Sequence, residues 1–197
     1  MKKIERNRKW LHVFSGTIIP IAILTLPRFV IALGLGIATI VYVGGIEMLR
    51  LNFSKFQKIF NKFFGIFLRE EEKERLTGAS WILFSSLVCV FFFKKETAVL
   101  IINLSIWGDA VAAFAGQKIG RIKIGKKTLE GSVACLSLCV LLMVFIYPII
   151  LQHTFTSLFI IIVSLSITVL EFVSEFIPLD DNIIIPIITG IIITLLF

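Results

Sequence analysis

Long apolar runs recur along this 197-residue sequence and constrain its fold more than any other feature. We place them at residues 10–26 and 29–46, in a third run that ends at residue 93, in a fourth that begins at residue 97, and at residues 132–151, 155–172 and 183–197. A membrane-spanning helix needs roughly 20 mainly apolar residues, so these runs are short but adequate spans. With a mean hydropathy of +0.98 and only 17% charged residues, the chain is too apolar for a soluble domain. The sequence predicts an all-α polytopic membrane protein with about seven short transmembrane helices.

One connection between the apolar runs has an amphipathic helical pattern. On a helix over residues 48–68, six phenylalanines fall within an arc of about 100°, and three lysines lie on the opposite face. The phenylalanines are Phe53, Phe56, Phe60, Phe63, Phe64 and Phe67, and the lysines are Lys55, Lys58 and Lys62. Such a segment is typical of a helix that lies on a membrane surface. We therefore expect one interfacial helix, and we expect residues 1–197 to form a single integral membrane domain.

The basic residues mark one side of the membrane. Of the 20 lysines and arginines, all but Arg28, Lys94 and Lys95 lie in residues 1–9, 50–75 or 118–127. The positive-inside rule places these connections, and the amino terminus, in the cytosol. The net charge of +7 therefore reflects topology and anionic ligands, and we expect no nucleic acid partner. The sequence carries no signal for an oligomeric state.

Segment 107–132 combines acidic residues, basic residues and glycines within this apolar chain. Asp109 lies inside an apolar run, where an ionisable side chain is costly and usually functional. Small residues recur at every fourth position nearby, namely Gly108, Ala112, Gly116 and Gly120. On a helix they form a smooth face that a phosphate or another backbone can approach closely. Ordinary helix contact in the membrane is the alternative interpretation.

A basic, glycine-containing loop follows, and it suits a polyphosphate. It contains Arg121, Lys123, Lys126 and Lys127, and Thr128, Glu130 and Gly131 open the next apolar run. The loop is not a P-loop, because Lys127 occupies the position of the magnesium-binding hydroxyl and no buried strand precedes it. The alternative is that these are ordinary charges of a cytosolic loop.

Acidic side chains at the same side of the membrane supply hard oxygen ligands. The candidate metal ligands are Asp109, Glu130, Glu171, Glu175, Asp180, Asp181 and Asn182. Mg²⁺ prefers one or two carboxylates together with phosphate oxygens and water. Glu171 and Glu175 are four residues apart on one helix face, where like charges repel unless a cation intervenes. For residues 180–182 a polar helix cap is the alternative interpretation.

Acids and bases at a membrane surface favour phosphoryl transfer to a lipid. That reaction needs positioning, neutralisation of charge and a group that accepts the proton of the attacking hydroxyl. Asp109 is the first candidate for the proton acceptor, and His12 is the second because its ordinary pKa near 6.5 suits the task. His12 is equally well explained as an interfacial histidine.

Five motifs resemble the CTP-dependent lipid kinase family, which includes phytol kinase, dolichol kinase, polyprenol kinase and yeast-type diacylglycerol kinase. They are R-K-W-L-H-V-F-S-G at 8–16, L-T-G-A-S at 76–80, G-D-A-V-A-A-F-A-G-Q-K-I-G-R at 108–121, K-T-L-E-G-S at 127–132 and L-D-D-N-I-I-I-P at 179–186. The resemblance implies transfer of the γ-phosphate of CTP to a lipid alcohol in the presence of Mg²⁺. The nucleotide-binding residues expected on these motifs are Arg8, Lys9, Thr77, Gly116, Gly120, Arg121, Lys126, Lys127, Thr128 and Gly131. For Thr77, simple capping of the following helix is the alternative.

Two other functions fit part of the pattern. Membrane cytidylyltransferases that make CDP-activated lipids also carry an Asp followed by a K-T-x-E-G segment, so the central motif alone fits both families. The motifs near the two ends of the chain resemble the kinases. A small ion-coupled transporter is the third possibility, and it predicts acids near the middle of the spans, whereas most of these acids lie at span ends.

Overall fold

The computed structural model describes residues 3–152 and 154–196, with side chains from Arg8 onward. In this part of the chain the backbone is almost entirely helical, as the apolar runs predicted. The helices are α1 (Lys3–Thr25), α2 (Arg28–Asn52), α3 (Ser54–Phe64), α4 (Gly78–Phe92), α5 (Lys95–Ile119), α6 (Leu129–Leu151), α7 (Ser157–Phe176) and α8 (Asp181–Leu196). Short 3₁₀ turns at Gly65–Phe67 and Glu71–Lys73 lie between α3 and α4.

Four helices of the described chain are long and apolar enough to cross a membrane, namely α2, α5, α6 and α7. Helices α4 and α8 are apolar but shorter, and α1 begins with the basic amino-terminal residues. In an apolar bilayer only a helix or a closed barrel satisfies all backbone polar groups, so these segments suit a membrane protein. The count of seven spans stays a prediction. The last residue of the seventh predicted span, Phe197, lies outside the described residues.

The boundary between the second span and the amphipathic helix differs from the sequence prediction. Helix α2 continues through a π-helical segment, Ile40–Glu47, as far as Asn52, so the amphipathic helix begins at Ser54 rather than near residue 48. Phe63 and Phe64 on α3 are 67% and 53% exposed. The ring of Phe60 instead lies under the Arg50 guanidinium, 5.6 Å away. An interfacial position for α3 stays a prediction.

A small hairpin departs from the all-α prediction. Strands β1 (Lys123–Ile124) and β2 (Lys127–Thr128) pair antiparallel, with Lys123 opposite Thr128. The turn requires a φ of +63° at Gly125, which glycine adopts without steric cost. The hairpin turns the chain from α5 into α6.

Helix α5 is the centre of the helical packing. In its most apolar window 67% of the residues are buried, against 11 to 33% in the other three long helices. It packs against α1, α6, α7 and α8. Gly16 lets α1 approach Ile106, and Gly108 lets α6 approach through Cys135. The carboxyl-terminal half of α5, which carries Asp109, is therefore surrounded by segments that are distant in sequence.

Candidate active site

A cavity of about 1140 Å³ lies beside the carboxyl-terminal half of α5. Its walls come from the start of α1, the connection between α3 and α4, the hairpin, and the connection between α7 and α8. The candidate residues that line it are Arg8, Lys9, Asp109, Gly116, Gly120, Lys126, Lys127, Thr128, Gly131, Glu171, Glu175, Asp180 and Asp181. Most of the residues that the sequence marked for nucleotide or metal binding thus share one space.

Asp109 is held by a cation from α1. Its carboxylate forms an ion pair with the Lys9 ammonium, and the two residues are only 9% and 6% exposed. His12 lies one helical turn after Lys9 and does not line the cavity. The Nε2 atom of His12 is buried and has no hydrogen-bond partner in the part of the chain that the structure describes. The structure therefore brings both candidate proton acceptors to the contact between α1 and α5, with Asp109 at the cavity.

The small-residue face of α5 is a helix contact. A β-carbon at Gly108 would lie 2.9 Å from Cys135 Sγ, and one at Gly116 would lie 2.6 Å from Thr128 Oγ1. One at Gly131 would lie 2.6 Å from the Ala112 carbonyl oxygen. Close packing of α6 on α5 accounts for these small residues. Gly116, Gly120 and Gly131 also reach the cavity wall, so the two interpretations of this face are compatible.

The hairpin is fastened to the end of α7. The Lys126 amide donates to both carboxylate oxygens of Glu175 at 2.7 Å. The Lys127 ammonium donates to Glu171 Oε1 at 2.7 Å, to Ser174 Oγ at 3.0 Å and to the Glu171 carbonyl oxygen. Glu171 and Glu175, which were predicted to need a cation between them, therefore receive a lysine and a backbone amide from the hairpin.

The side chains of the basic loop have different environments. The Lys126 side chain is 81% exposed, and its only ion pair among the described residues is a 3.8 Å contact with Glu71. The Lys127 side chain is 20% exposed, and its ammonium contacts Glu171 and Ser174 of α7. Arg121 is exposed and does not line the cavity. Lys126 is thus the lysine of this pair that is available to a ligand.

Two further candidate residues serve the turn around the hairpin. The Glu130 carboxylate accepts a hydrogen bond from the Ile122 amide at 3.2 Å, and Glu130 does not line the cavity. Thr128 caps α6, because its Oγ1 accepts from the Gly131 amide at 3.1 Å. In this structure the Glu130 carboxylate stabilises the backbone before the hairpin and lies away from the cavity where a metal would bind.

An acidic pair lies at the cavity, at the start of α8. Asp180 Oδ1 accepts hydrogen bonds from the Asn182 amide and side chain, at 3.0 and 2.6 Å, so the helix-cap interpretation of residues 180–182 has a structural basis. Burial and the neighbouring Asp181 carboxylate raise the pKa of Asp180 to about 6, although Arg69 opposes this. Asn182 does not line the cavity; Asp180 and Asp181 do.

A buried network that the sequence interpretation missed supports the connection between α3 and α4. Glu47 and Arg50 on α2 are both fully buried and form an ion pair. Arg50 also donates to the carbonyl oxygens of Glu72, Lys73 and Arg75. This network holds in place the loop that carries cavity residues Arg69, Glu71, Glu72, Arg75 and Leu76.

Thr77 belongs to this network and not to the cavity wall. Its amide and its hydroxyl both donate to Glu47 Oε1, at 3.1 and 2.6 Å, and the residue is 4% exposed. Thr77 therefore anchors α4 to α2, and its expected contact with a nucleotide stays a prediction. The sequence signals for this part of the site were the L-T-G-A-S motif at 76–80 and the acidic and basic residues at 69–75.

The oxygen atoms at the cavity fit a magnesium ion only in partnership with phosphate. Glu171 Oε2 and Asp181 Oδ1 are buried without a hydrogen-bond partner among the described residues, and both residues line the cavity. Within the described residues, no group of three or more His, Cys, Asp or Glu side chains is arranged to hold a metal by itself. A site with one or two carboxylates and several phosphate oxygens is the type that Mg²⁺ prefers.

Comparisons with known proteins give a match over most of the chain and partial matches to kinases. The chain is 29% identical over 187 residues to the uncharacterized protein RP860 of Rickettsia prowazekii, a match that covers 92% of this chain and 89% of that protein. It is 27% identical over 99 residues to CTP-dependent diacylglycerol kinase 1 of Saccharomyces cerevisiae, and 32% identical over 89 residues to the kinase of the same name from Schizosaccharomyces pombe.

The kinase matches cover 49% and 44% of this chain, and only 34% and 41% of the two yeast proteins. No protein-family model matches the chain. No solved structure matches it either. Taken together, the partial matches support a relationship between this chain and the CTP-dependent lipid kinases.

Proposed function

We propose that this protein transfers the γ-phosphate of CTP to the hydroxyl group of a membrane lipid alcohol. The observation that carries the proposal is the single cavity that joins the acidic and basic residues of four distant segments. Partial similarity to CTP-dependent diacylglycerol kinases supports the reaction class and the nucleotide. The bases would neutralise the triphosphate, and the acids would serve the metal and the attacking hydroxyl.

The wall of the cavity also suits a lipid. Beside the charged groups it contains Leu76, Trp81, Ile177, Pro178 and Leu179. Leu179 is 56% exposed, so part of this apolar wall reaches the outer surface of the protein. An alcohol with a long hydrocarbon chain can place its hydroxyl among the charges while the chain stays against apolar side chains.

In the proposed reaction the lipid hydroxyl oxygen forms a bond to the γ-phosphorus. The bond between that phosphorus and the oxygen bridging to the β-phosphorus breaks, and CDP leaves. Asp109 accepts the hydroxyl proton, with His12 as the alternative acceptor. Lys126 and Arg8 contact the phosphates, and Lys9 keeps the Asp109 carboxylate in position. Lys127 and Glu175 hold the hairpin against α7.

Magnesium completes the proposal. The residues that would hold it are Asp181, Glu171 and Asp180, whose carboxylates line the cavity. Bound Mg²⁺ would offset the charge that develops on the phosphate oxygens. The positive-inside distribution of lysine and arginine supports a cytosolic position for this end of the helices, where CTP is available.

Labelled CTP tests the proposal directly. Purified protein in lipid or detergent is given CTP labelled at the γ-phosphate or at the α-phosphate, with diacylglycerol, phytol and a polyprenol as parallel acceptors. We expect γ-label in the lipid and none from the α-position. Lipid that carries α-label would show transfer of CMP, which is the cytidylyltransferase reaction. Because the yeast relatives are CTP-dependent diacylglycerol kinases, diacylglycerol is the first acceptor to test, and phytol and a polyprenol represent the isoprenoid alcohols.

A further inference from the structure

Arg69 lies at the cavity in the connection between α3 and α4, and its side chain is 34% exposed. Its guanidinium nitrogens lie 3.7 Å from an Asp180 oxygen, 3.7 Å from an Asp181 oxygen and 4.0 Å from a Glu72 oxygen. Each of these separations is longer than a hydrogen bond. In the described part of the chain, the guanidinium of Arg69 therefore has charged neighbours but no hydrogen-bond acceptor.

Two other cations at this cavity, Lys9 and Lys127, are bound tightly to buried acids, whereas Lys126 is mostly exposed to solvent. Lys127 donates to three oxygen atoms of α7, and Lys9 contacts Asp109 directly. A guanidinium has five N–H donors, and partly buried donors without acceptors are unfavourable. Among the described residues, Arg69 is thus a partly buried cation at the cavity whose donors are not satisfied by the protein.

The backbone of Arg69 is fixed, in contrast to its side chain. Its amide donates to Glu72 Oε2 at 2.7 Å, and Arg50 holds the carbonyl oxygens of the following residues. The guanidinium is therefore presented from a fixed loop, and only the side chain has to move when a ligand enters. Such an arrangement lowers the ordering cost of binding.

We infer that Arg69 binds the phosphate oxygens of a polyphosphate and leaves its long contacts with Asp180 and Asp181 when it does so. The planar fork of a guanidinium matches two phosphate oxygens. The two aspartates are then available to a divalent cation that accompanies the phosphates. This inference rests on the proposed function for the identity of the polyphosphate as the triphosphate of CTP.

Arg69→Gln tests the inference by binding, with inorganic tripolyphosphate and Mg²⁺ as probes on the full chain. Two opposite effects are expected. The affinity for tripolyphosphate in the presence of Mg²⁺ falls by about tenfold or more, since hydrogen bonds to a charged group are lost. The affinity for Mg²⁺ alone rises, because the cation no longer competes with Arg69 for Asp180 and Asp181.

Two further variants sharpen the comparison. Lys73→Gln removes a cation from the same loop, but Lys73 does not line the cavity and pairs with exposed Glu70, so both affinities should stay at the wild-type values. Arg69→Lys keeps the charge without the fork and should recover part of the tripolyphosphate affinity.

Several results would overturn the inference. These are unchanged tripolyphosphate affinity in Arg69→Gln, absence of tripolyphosphate binding by the wild-type protein, or equal loss of both ligands, which would indicate a structural role. Short-chain phosphatidic acid separates a lipid phosphate from a polyphosphate, and a loss confined to that ligand contradicts the inference. Because tripolyphosphate contains neither cytosine nor lipid, the result stands apart from the outcome of the labelled-CTP experiment.

Discussion

Adjacent residues at the hairpin have different surroundings and should have different functions. Lys126 is mostly exposed, whereas Lys127 holds the buried Glu171 carboxylate and Ser174. We expect Lys126→Ala to raise the Michaelis constant for CTP by about tenfold, since one charged phosphate contact is lost, with little change in thermal stability. We expect Lys127→Ala to lower the free energy of unfolding by about 1–3 kcal/mol, because Glu171 loses its partner.

Steady-state kinetics and thermal unfolding of the two variants measure this division. Lys118→Ala is the control, since Lys118 is exposed at the end of α5 and does not line the cavity. If Lys126→Ala reduces stability and Lys127→Ala only changes the Michaelis constant, the roles assigned to the two lysines are reversed.

At the residue scale the sequence predicted which side chains gather, but not how they pair. Asp109, Asp180 and Asp181 were recognisable because carboxylates are costly beside apolar runs. The pairing of Lys9 with Asp109, 100 positions along the chain, depends on the approach of two helices. Arg69 was missed because its only sequence signal was a run of mixed charges, which is usually a solvated loop. The pairing of Thr77 with the buried Glu47 on α2 was not predicted, because the two residues are 30 positions apart.

At the scale of elements, the long apolar runs correctly predicted helices, because an apolar segment has to satisfy its backbone hydrogen bonds internally. Smaller features of the backbone were not predicted. The π-helical segment Ile40–Glu47 has no clear sequence signal, and it carries α2 past the predicted boundary. The hairpin has only two residues in each strand, too few for an alternating pattern, although Gly125 was a usable turn signal.

Helix α3 provides a test at the same scale. Its exposed phenylalanines should lie in the membrane interface, so Phe63→Asp should detach the helix and weaken membrane contact of this connection. The readout is the accessibility of a spin label at position 59, where Ile59 is 58% exposed, to polar and apolar quenchers in bilayers. Lys58→Gln is the matched control, since it should act only through anionic lipid content.

Wild-type protein whose label at position 59 reports an aqueous environment would contradict an interfacial position for α3. Phe60 is unsuitable for this test, because its ring packs against Arg50 and an aspartate there would disturb the buried network.

At the scale of the whole molecule, the helical packing explains why residues so far apart in sequence form one site. Helix α5 packs against α1, α6, α7 and α8. Residues 8–9 of α1, residues 69–76 between α3 and α4, residues 109–131, and residues 171–181 at the junction of α7 and α8 meet at one cavity. The distribution of basic residues predicted that these segments lie on one side of the membrane. Their distances could not be predicted, because they follow from helix packing at small residues such as Gly108 and Gly131.

The central claim is that this cavity performs the transfer of phosphate, and Asp109→Asn tests it most directly. The measurement is γ-phosphate transfer from CTP to lipid at saturating Mg²⁺, divided by the amount of protein that still binds tripolyphosphate, which counts only folded sites. We predict a loss of at least about 100-fold in turnover, since the amide cannot accept the hydroxyl proton. Turnover close to that of the wild-type protein, in Asp109→Asn that still binds tripolyphosphate, would contradict the account.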